Sequence, residues 1–152
     1  RSKERFPTKS LHSCNLNHTT KWMEQAMALN IKLSERRKVP DDPVEGRPWI
    51  GFDPNESEEI LFEMNRGVWR LSQVRAAREP FATFSFAGTI RFAARIDRLE
   101  PFDTPDPGHQ RKSWIVGRVL PHTDPAWRPL RAIAVDTHRN PVTYLPDPPG
   151  VR

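Results

Sequence analysis

The sequence predicts an α+β fold: a small, partly closed β-barrel of five or six strands, with two helices from the first half packed against it. Three observations lead there. From Val68 onward, short apolar segments are separated by turns and prolines rather than joined into long helical stripes. Two of these segments, Phe81 to Ala87 and Thr89 to Arg98, flank Ala87-Gly88 in the manner of a tight hairpin. And the chain carries 16 prolines, which exclude helix interiors and central strands from 101–107, 121–129 and 146–149 and leave those stretches as connections.

Taken in order, residues 1–18 show no period and many polar or basic side chains, and read as a basic arm. Residues 19–145 read as one domain and 146–152 as a tail. A helix is expected over Lys21 to Glu35. Thr19 or Thr20 caps it, Trp22, Met23, Ala26, Met27 and Leu33 form an apolar stripe, Arg36 to Lys38 sit at its negative end, and Pro40 stops it. Pro48 to Asp53 is a short strand candidate.

Asn55, three residues before Glu58, marks a variant capping box and the start of a second helix. Ile60, Leu61 and Met64 are its expected buried side, and Gly67 its end. Val68 to Leu71 then reads as a strand, Ser72 to Arg78 as a helical turn, and the hairpin follows. In its second arm Ile90, Phe92, Ala94 and Ile96 alternate with Arg91, Arg95 and Asp97, so one face is apolar and the other wet. Ser113 to Leu120 and Arg131 to Asp136 are the last two strand candidates.

Composition bounds the function. The 152 residues carry a net charge of +5, and the charge is segregated. Residues 1–38 hold nine Lys or Arg against three acids, 39–63 one against eight, and 64–98 seven against two. That pattern favours a polyanion as partner. Cys14 is the only cysteine, which rules out an internal disulfide and suits a reducing, cytoplasmic setting. No apolar run approaches a bilayer's thickness, so no membrane insertion is expected.

Glycine-rich phosphate loops, nucleophile elbows and paired His-Glu helix motifs are all missing. His12, Cys14 and His18 lack a fourth ligand at a zinc spacing, so neither a metal nor another cofactor is expected. Asp53, Glu56, Glu58, Glu59 and Glu63 resemble a nuclease metal cluster, but a helix's first turn attracts carboxylates through its dipole alone. The more informative stretch is basic and aromatic. Arg66, Trp69 and Arg70 lie where a helix end meets a strand, and Arg91 and Arg95 are expected on one sheet face, an arrangement suited to phosphates with a ring nearby for stacking. Trp69 reads equally well as core, as do Trp49 and Trp114, whereas Trp127, between prolines, reads as an exposed or half-packed loop ring.

Asn65 to Ser72 (Asn-Arg-Gly-Val-Trp-Arg-Leu-Ser), Phe81 to Arg91, Arg95-Ile96-Asp97 and Arg139 to Tyr144 (Arg-Asn-Pro-Val-Thr-Tyr) follow one another in the order and spacing of a known module. They resemble a unit found in bacterial and phage proteins, sometimes behind a GIY-YIG nuclease domain. That unit is in turn similar to the PUA-like group of small barrels, which includes the EVE and ASCH domains. The resemblance covers about residues 47–145. It implies a PUA-like barrel that binds RNA or modified DNA, often by holding a base in a pocket. It places Arg66, Trp69 and Arg70 at the barrel entrance and Asn140 and Tyr144 on the closing strand. The GIY-YIG part is not in this sequence, and Ala94 and Leu99 stand where a larger residue and a tryptophan are expected.

The expected function is therefore nucleic-acid binding, DNA before RNA, with recognition of a modified or flipped base in a bacterial or phage defence or counter-defence setting. Arg66, Arg70, Arg91, Arg95 and Arg118 are the candidate phosphate contacts, and Trp69 and Trp114 the candidate stacking rings. Two rivals remain: a protein-interaction adaptor or inhibitor working through exposed aromatics and proline-rich loops, and a nuclease or base-processing enzyme. Besides nucleic acid, a nuclease or other protein is the further partner expected.

Overall fold

A computed structural model of the chain describes residues 28–40, 42, 44, 46–71, 73–103, 112–135 and 140–145. Residues 28–145 form one compact unit. Its strands are β1 (Ala28–Leu33), β2 (Arg37–Lys38), β3 (Trp49–Ile50), β4 (Trp69–Arg70), β5 (Phe81–Phe86), β6 (Thr89–Pro101), β7 (Lys112–Val119) and β8 (Val142–Tyr144). Its helices are α1 (Glu58–Asn65), α2 (Gln73–Ala76) and α3 (Trp127–Arg131). Six strands make one mixed sheet in the order β4-β7-β6-β5-β1-β8, which curls into a nearly closed barrel, while β2 and β3 pair separately. The expected α+β barrel is the observed architecture. No described helix is long and apolar enough to cross a membrane.

The long helix expected over Lys21 to Glu35 is not what the second part of that segment forms. Ala28–Leu33 is a strand, parallel to β5 from Ala28 opposite Phe81 to Leu33 opposite Phe86, and edged by β8. Ala28, Leu29, Asn30 and Ile31 are all sealed from solvent. A strand covered on both faces shows no apolar-polar alternation, so its pattern does not announce it. Residues 19–27, with the rest of that stripe and its caps, lie outside the described residues, as do the arm and the tail.

Two apolar clusters lie on opposite faces of the sheet. Leu29, Ile31 and Leu33 of β1 meet Ala82 and Phe84 of β5, Phe92 and Ala94 of β6 and Ile115 of β7, and α1 adds Leu61 and Phe62. At the centre Phe84 stacks on Phe92 at 4.6 Å and takes the edge of Phe62 at 5.9 Å. On the other face Ala28, Phe81, Ile90 and Ala93 are covered by Trp127 and Leu130 of α3.

The hairpin turns at Ala87-Gly88, whose φ angles of 53° and 83° are both positive, as a two-residue turn matched to strand twist requires. Its second arm alternates less simply than expected. The ladder shifts at Arg91 and again at Asp97, where β6 carries one residue more than its partner. The shift at Arg91 sends Ile90 to the α3 cluster and Phe92 and Ala94 to the other, so Arg91, Arg95 and Asp97 do not form one wet face.

Ser57, not Asn55, caps α1: its hydroxyl accepts from the Ile60 amide at 3.2 Å. The helix buries Leu61, Phe62 and Asn65, leaving Ile60 43% exposed. The segment expected as a loop at 121–129 and as a strand at 131–136 contains α3 instead. Pro129 is tolerated there because it sits in the first turn, where an amide has no helical partner to lose. The same helix turns Trp127 inward to 6% exposure, with His122 stacked on it at 4.4 Å, so it is not a loop ring.

Candidate functional site

The sheet's two edges are β4 and β8. The chain leaves β4 directly into α2, which sets the Arg75 guanidinium 4.0 Å above the Tyr144 ring of β8. The barrel thus ends in a seam with Trp69 on one lip and Tyr144 on the other, bridged in part by a cation-ring contact.

An open pocket of about 410 Å³ lies here, within the size range of small-ligand sites. Trp69 from β4, Lys32 and Leu33 from β1, Arg37 from β2, Ile50 from β3 and Pro141 ahead of β8 contribute to its walls. Among the described lining residues two are cationic, one carries an indole, and none is a carboxylate. The Lys32 amide donates to the Pro141 carbonyl at 2.7 Å, which ties the loop before β8 to the end of β1.

The floor is set by Asn65, 1% exposed at the last position of α1. Its amide nitrogen donates to the carbonyls of Gly51 and Leu61, both at 2.9 Å, and its oxygen accepts from the Gly51 amide at 2.8 Å. With these bonds made, Asn65 works as a bracket that holds Gly51 in place. Gly51 has φ +101°, and a Cβ there would overlap the Glu35 carbonyl, so the bend that shapes the floor requires glycine. The Asn65 carbonyl in turn accepts from Trp69 Nε1 at 2.8 Å, fixing the indole. Arg47 completes the support by joining Asp42, at 2.7 Å from Nη2, to the carbonyls of Met64 and Gly67.

The other expected site residues fall into separate groups. Asn140 is exposed just before the pocket residue Pro141, and its side-chain oxygen accepts from the Val142 amide at 3.2 Å. Arg66 lies 4.6 Å over the half-buried Trp114 ring, donates to the Ile115 carbonyl at 3.2 Å and approaches Glu63 at 3.6 Å. Phe102 meets Trp114 edge-on at 5.9 Å. Gly67 allows this close packing, since a Cβ there would land on that of Trp114. The indole face of Trp114 is therefore already occupied by a guanidinium.

Arg70 is exposed opposite Lys112 on the β4–β7 pair. Arg95 and Arg118 are register partners across β6 and β7, and Arg95 is held by Asp124 at 3.3 Å. Arg91 lies 5.3 Å from the Phe52 ring and 5.6 Å from that of Phe86. None of the five arginines expected as phosphate contacts is among the described lining residues of the pocket.

The acidic cluster is largely engaged. Arg36, stacked 4.0 Å over Trp49, bonds Asp53 at 3.0 Å and Glu56 at 2.9 Å. The Asp53 carboxyl is lowered below its ordinary range, first by the Asn55 amide and then by Arg36. Glu58 contacts His122 Nε2 at 2.8 Å, and its carboxyl is raised because burial outweighs that contact. Among the described residues no three His, Cys, Asp or Glu side chains are grouped as metal ligands. His12, Cys14 and His18 lie outside the described residues.

Of the expected site residues Trp69 lines the pocket while Asn140 and Tyr144 lie beside it; Lys32 and Arg37 of the wall and Gly51 and Asn65 of the floor were not among those expected. Asn65 opens the motif that led to Trp69, so its adjacency was the available signal. Lys32 was hidden by the helical reading of its strand. Comparison of the chain with family models, with curated proteins and with solved structures returned no match.

Proposed function

We propose that the chain is a PUA-like nucleic-acid-binding module that takes a base of a single-stranded or flipped nucleotide into the seam pocket. The observation that carries this reading is the pocket's chemistry: an indole fixed by Asn65 and two cations, with no carboxylate among the described lining residues, in about 410 Å³. In the proposed mechanism Trp69 stacks the base, while Lys32 and Arg37 meet the phosphate or its neighbour. Leu33 and Ile50 supply apolar wall, and a pocket of about 410 Å³ suits one extruded base better than a duplex. The resemblance of the Asn65 to Ser72 and Arg139 to Tyr144 motifs adds the bacterial or phage setting and modified bases as the ligands to try first.

The interaction-adaptor reading asks for an exposed apolar patch. Among the described residues only Ile60 is a large hydrophobic side chain with more than a third of its surface exposed, which favours the cationic pocket as the binding surface.

The test is fluorescence anisotropy with labelled single-stranded and duplex oligonucleotides, with and without modified bases, over a series of salt concentrations. Single-stranded binding that weakens with salt is expected, and Trp69→Ala should weaken it by about tenfold, as loss of one stacked base implies. Affinity unchanged by Trp69→Ala, or insensitive to salt, overturns the proposal.

A further inference from the structure

We infer that the bound strand does not stop at the pocket: a neighbouring nucleotide continues from it across a ledge formed by Phe52 and Phe86, with Arg91 as its phosphate contact. This rests on the reading of the pocket given above and specifies the ligand as a stretch of single strand rather than an isolated nucleotide.

The ledge and the pocket share one end of the barrel. β1 and β5 run parallel and finish together, with Leu33 opposite Phe86, and β6 starts there with Thr89 opposite Phe86. Leu33 lines the pocket, and its register partner Phe86 belongs to the ledge. Gly51 lines the pocket, and the next residue is Phe52. The Phe52 amide donates to the carbonyl of Ser34, another lining residue, at 2.8 Å. Pocket and ledge are therefore joined by covalent neighbours and by a backbone hydrogen bond.

The ledge has the chemistry that a second nucleotide requires. Phe52 and Phe86 stack at 4.9 Å with ring planes 26° apart, and both are only partly buried. Arg91 is exposed beside both rings, and its Nε donates to the Phe86 carbonyl at 3.3 Å, which orients the guanidinium over them. The ladder shift at Arg91 puts this side chain at the hairpin end out of step with the alternating residues of β6. Sequence-independent single-strand grooves combine ring surfaces with backbone-tracking cations in this way.

By contrast, the other aromatic-cation pairs are poorly suited to extending the path. Their guanidiniums are engaged, Arg66 with the Ile115 carbonyl and near Glu63, and Arg36 with the carboxylates of Asp53 and Glu56.

The experiment compares a 5′-deoxythymidylate mononucleotide with its dimer and trimer, and the deoxyadenylate series in parallel, binding to the full chain by calorimetry or competition. Variants are Arg91→Ala, Arg91→Gln and Trp69→Ala, each checked by thermal melting. Affinity should rise by about fivefold or more from one nucleotide to three, the gain expected of one further stacked base. In both Arg91 variants the trimer-to-monomer affinity ratio should fall by about half or more, since the phosphate contact is lost while the rings stay. If mononucleotide binding depends on Trp69 but the ratio is near one in the unaltered chain, or is the same in the Arg91 variants, the ledge is overturned and the pocket reading stands. If no member of either series binds, both fall.

Discussion

At the seam between β4 and β8, Trp69 lines an open pocket together with Lys32 and Arg37, whereas on the opposite sheet face Trp127 of α3 is packed inward against the sheet and Arg95 is held by Asp124. Both regions join tryptophan to arginine, and in sequence they look alike. What separates them is closure. In the second region the ring belongs to a helix that packs it onto the sheet, while the first sits where the barrel fails to close. An aromatic and basic signature therefore marks a binding surface only where the architecture leaves the ring accessible.

The comparison breaks most visibly if the covered side is removed. Trp127→Ala should cost about 3–5 kcal/mol in urea unfolding, as deletion of a large buried ring does. Oligonucleotide affinity of the folded fraction should remain that of the parent chain. An equal loss of affinity would erase the distinction between the two regions.

A somewhat smaller effect is expected at the floor of the pocket. Asn65→Ala leaves the Gly51 amide and the Gly51 and Leu61 carbonyls without the partners they have now. A stability loss of about 3 kcal/mol follows from stranded buried polar groups. Here stability and binding should fall together, unlike at Trp127, since the bracket also positions the indole.

Arg37→Ala sharpens the contrast further. It should reduce the slope of log affinity against log salt by about 0.7 for single strands, the amount tied to one phosphate contact. Arg95→Ala should leave that slope unchanged and, with its ion pair half exposed to water, cost about 0.5 kcal/mol or less. Equal slopes for the two variants would place the anion contact elsewhere.

The legibility of the fold follows the same division. The β5–β6 hairpin was readable because its turn residues, Ala87-Gly88, are a local signal between two apolar segments. β1 was not, because a central strand sealed on both faces carries Ala28 to Ile31 without a period of two, and its neighbouring Met and Ala residues mimic a helical stripe. α3 was masked by Pro129, whose harmless place in a first turn cannot be known before the helix is. At the site, Trp69 and the Asn-Pro-Val-Thr-Tyr stretch were found through short motifs. Lys32 and Arg37 come from strands far away in sequence, and only the parallel pairing with β5 and the curl of the sheet bring β1 to the seam. The expectation that Arg91, Arg95 and Asp97 share one wet face failed because the ladder shifts at Arg91 and Asp97 are invisible to a simple alternation.

The most direct test of the seam as the binding surface is photocrosslinking with a short single-stranded oligonucleotide carrying 5-iodouracil, followed by mass-spectrometric mapping of the adduct. The account expects the adduct on Trp69, with Phe52 or Phe86 as a second position when the reactive base is moved along the strand. Adducts confined to Trp114 or to the α3 side, with Trp69 unmodified, would contradict it.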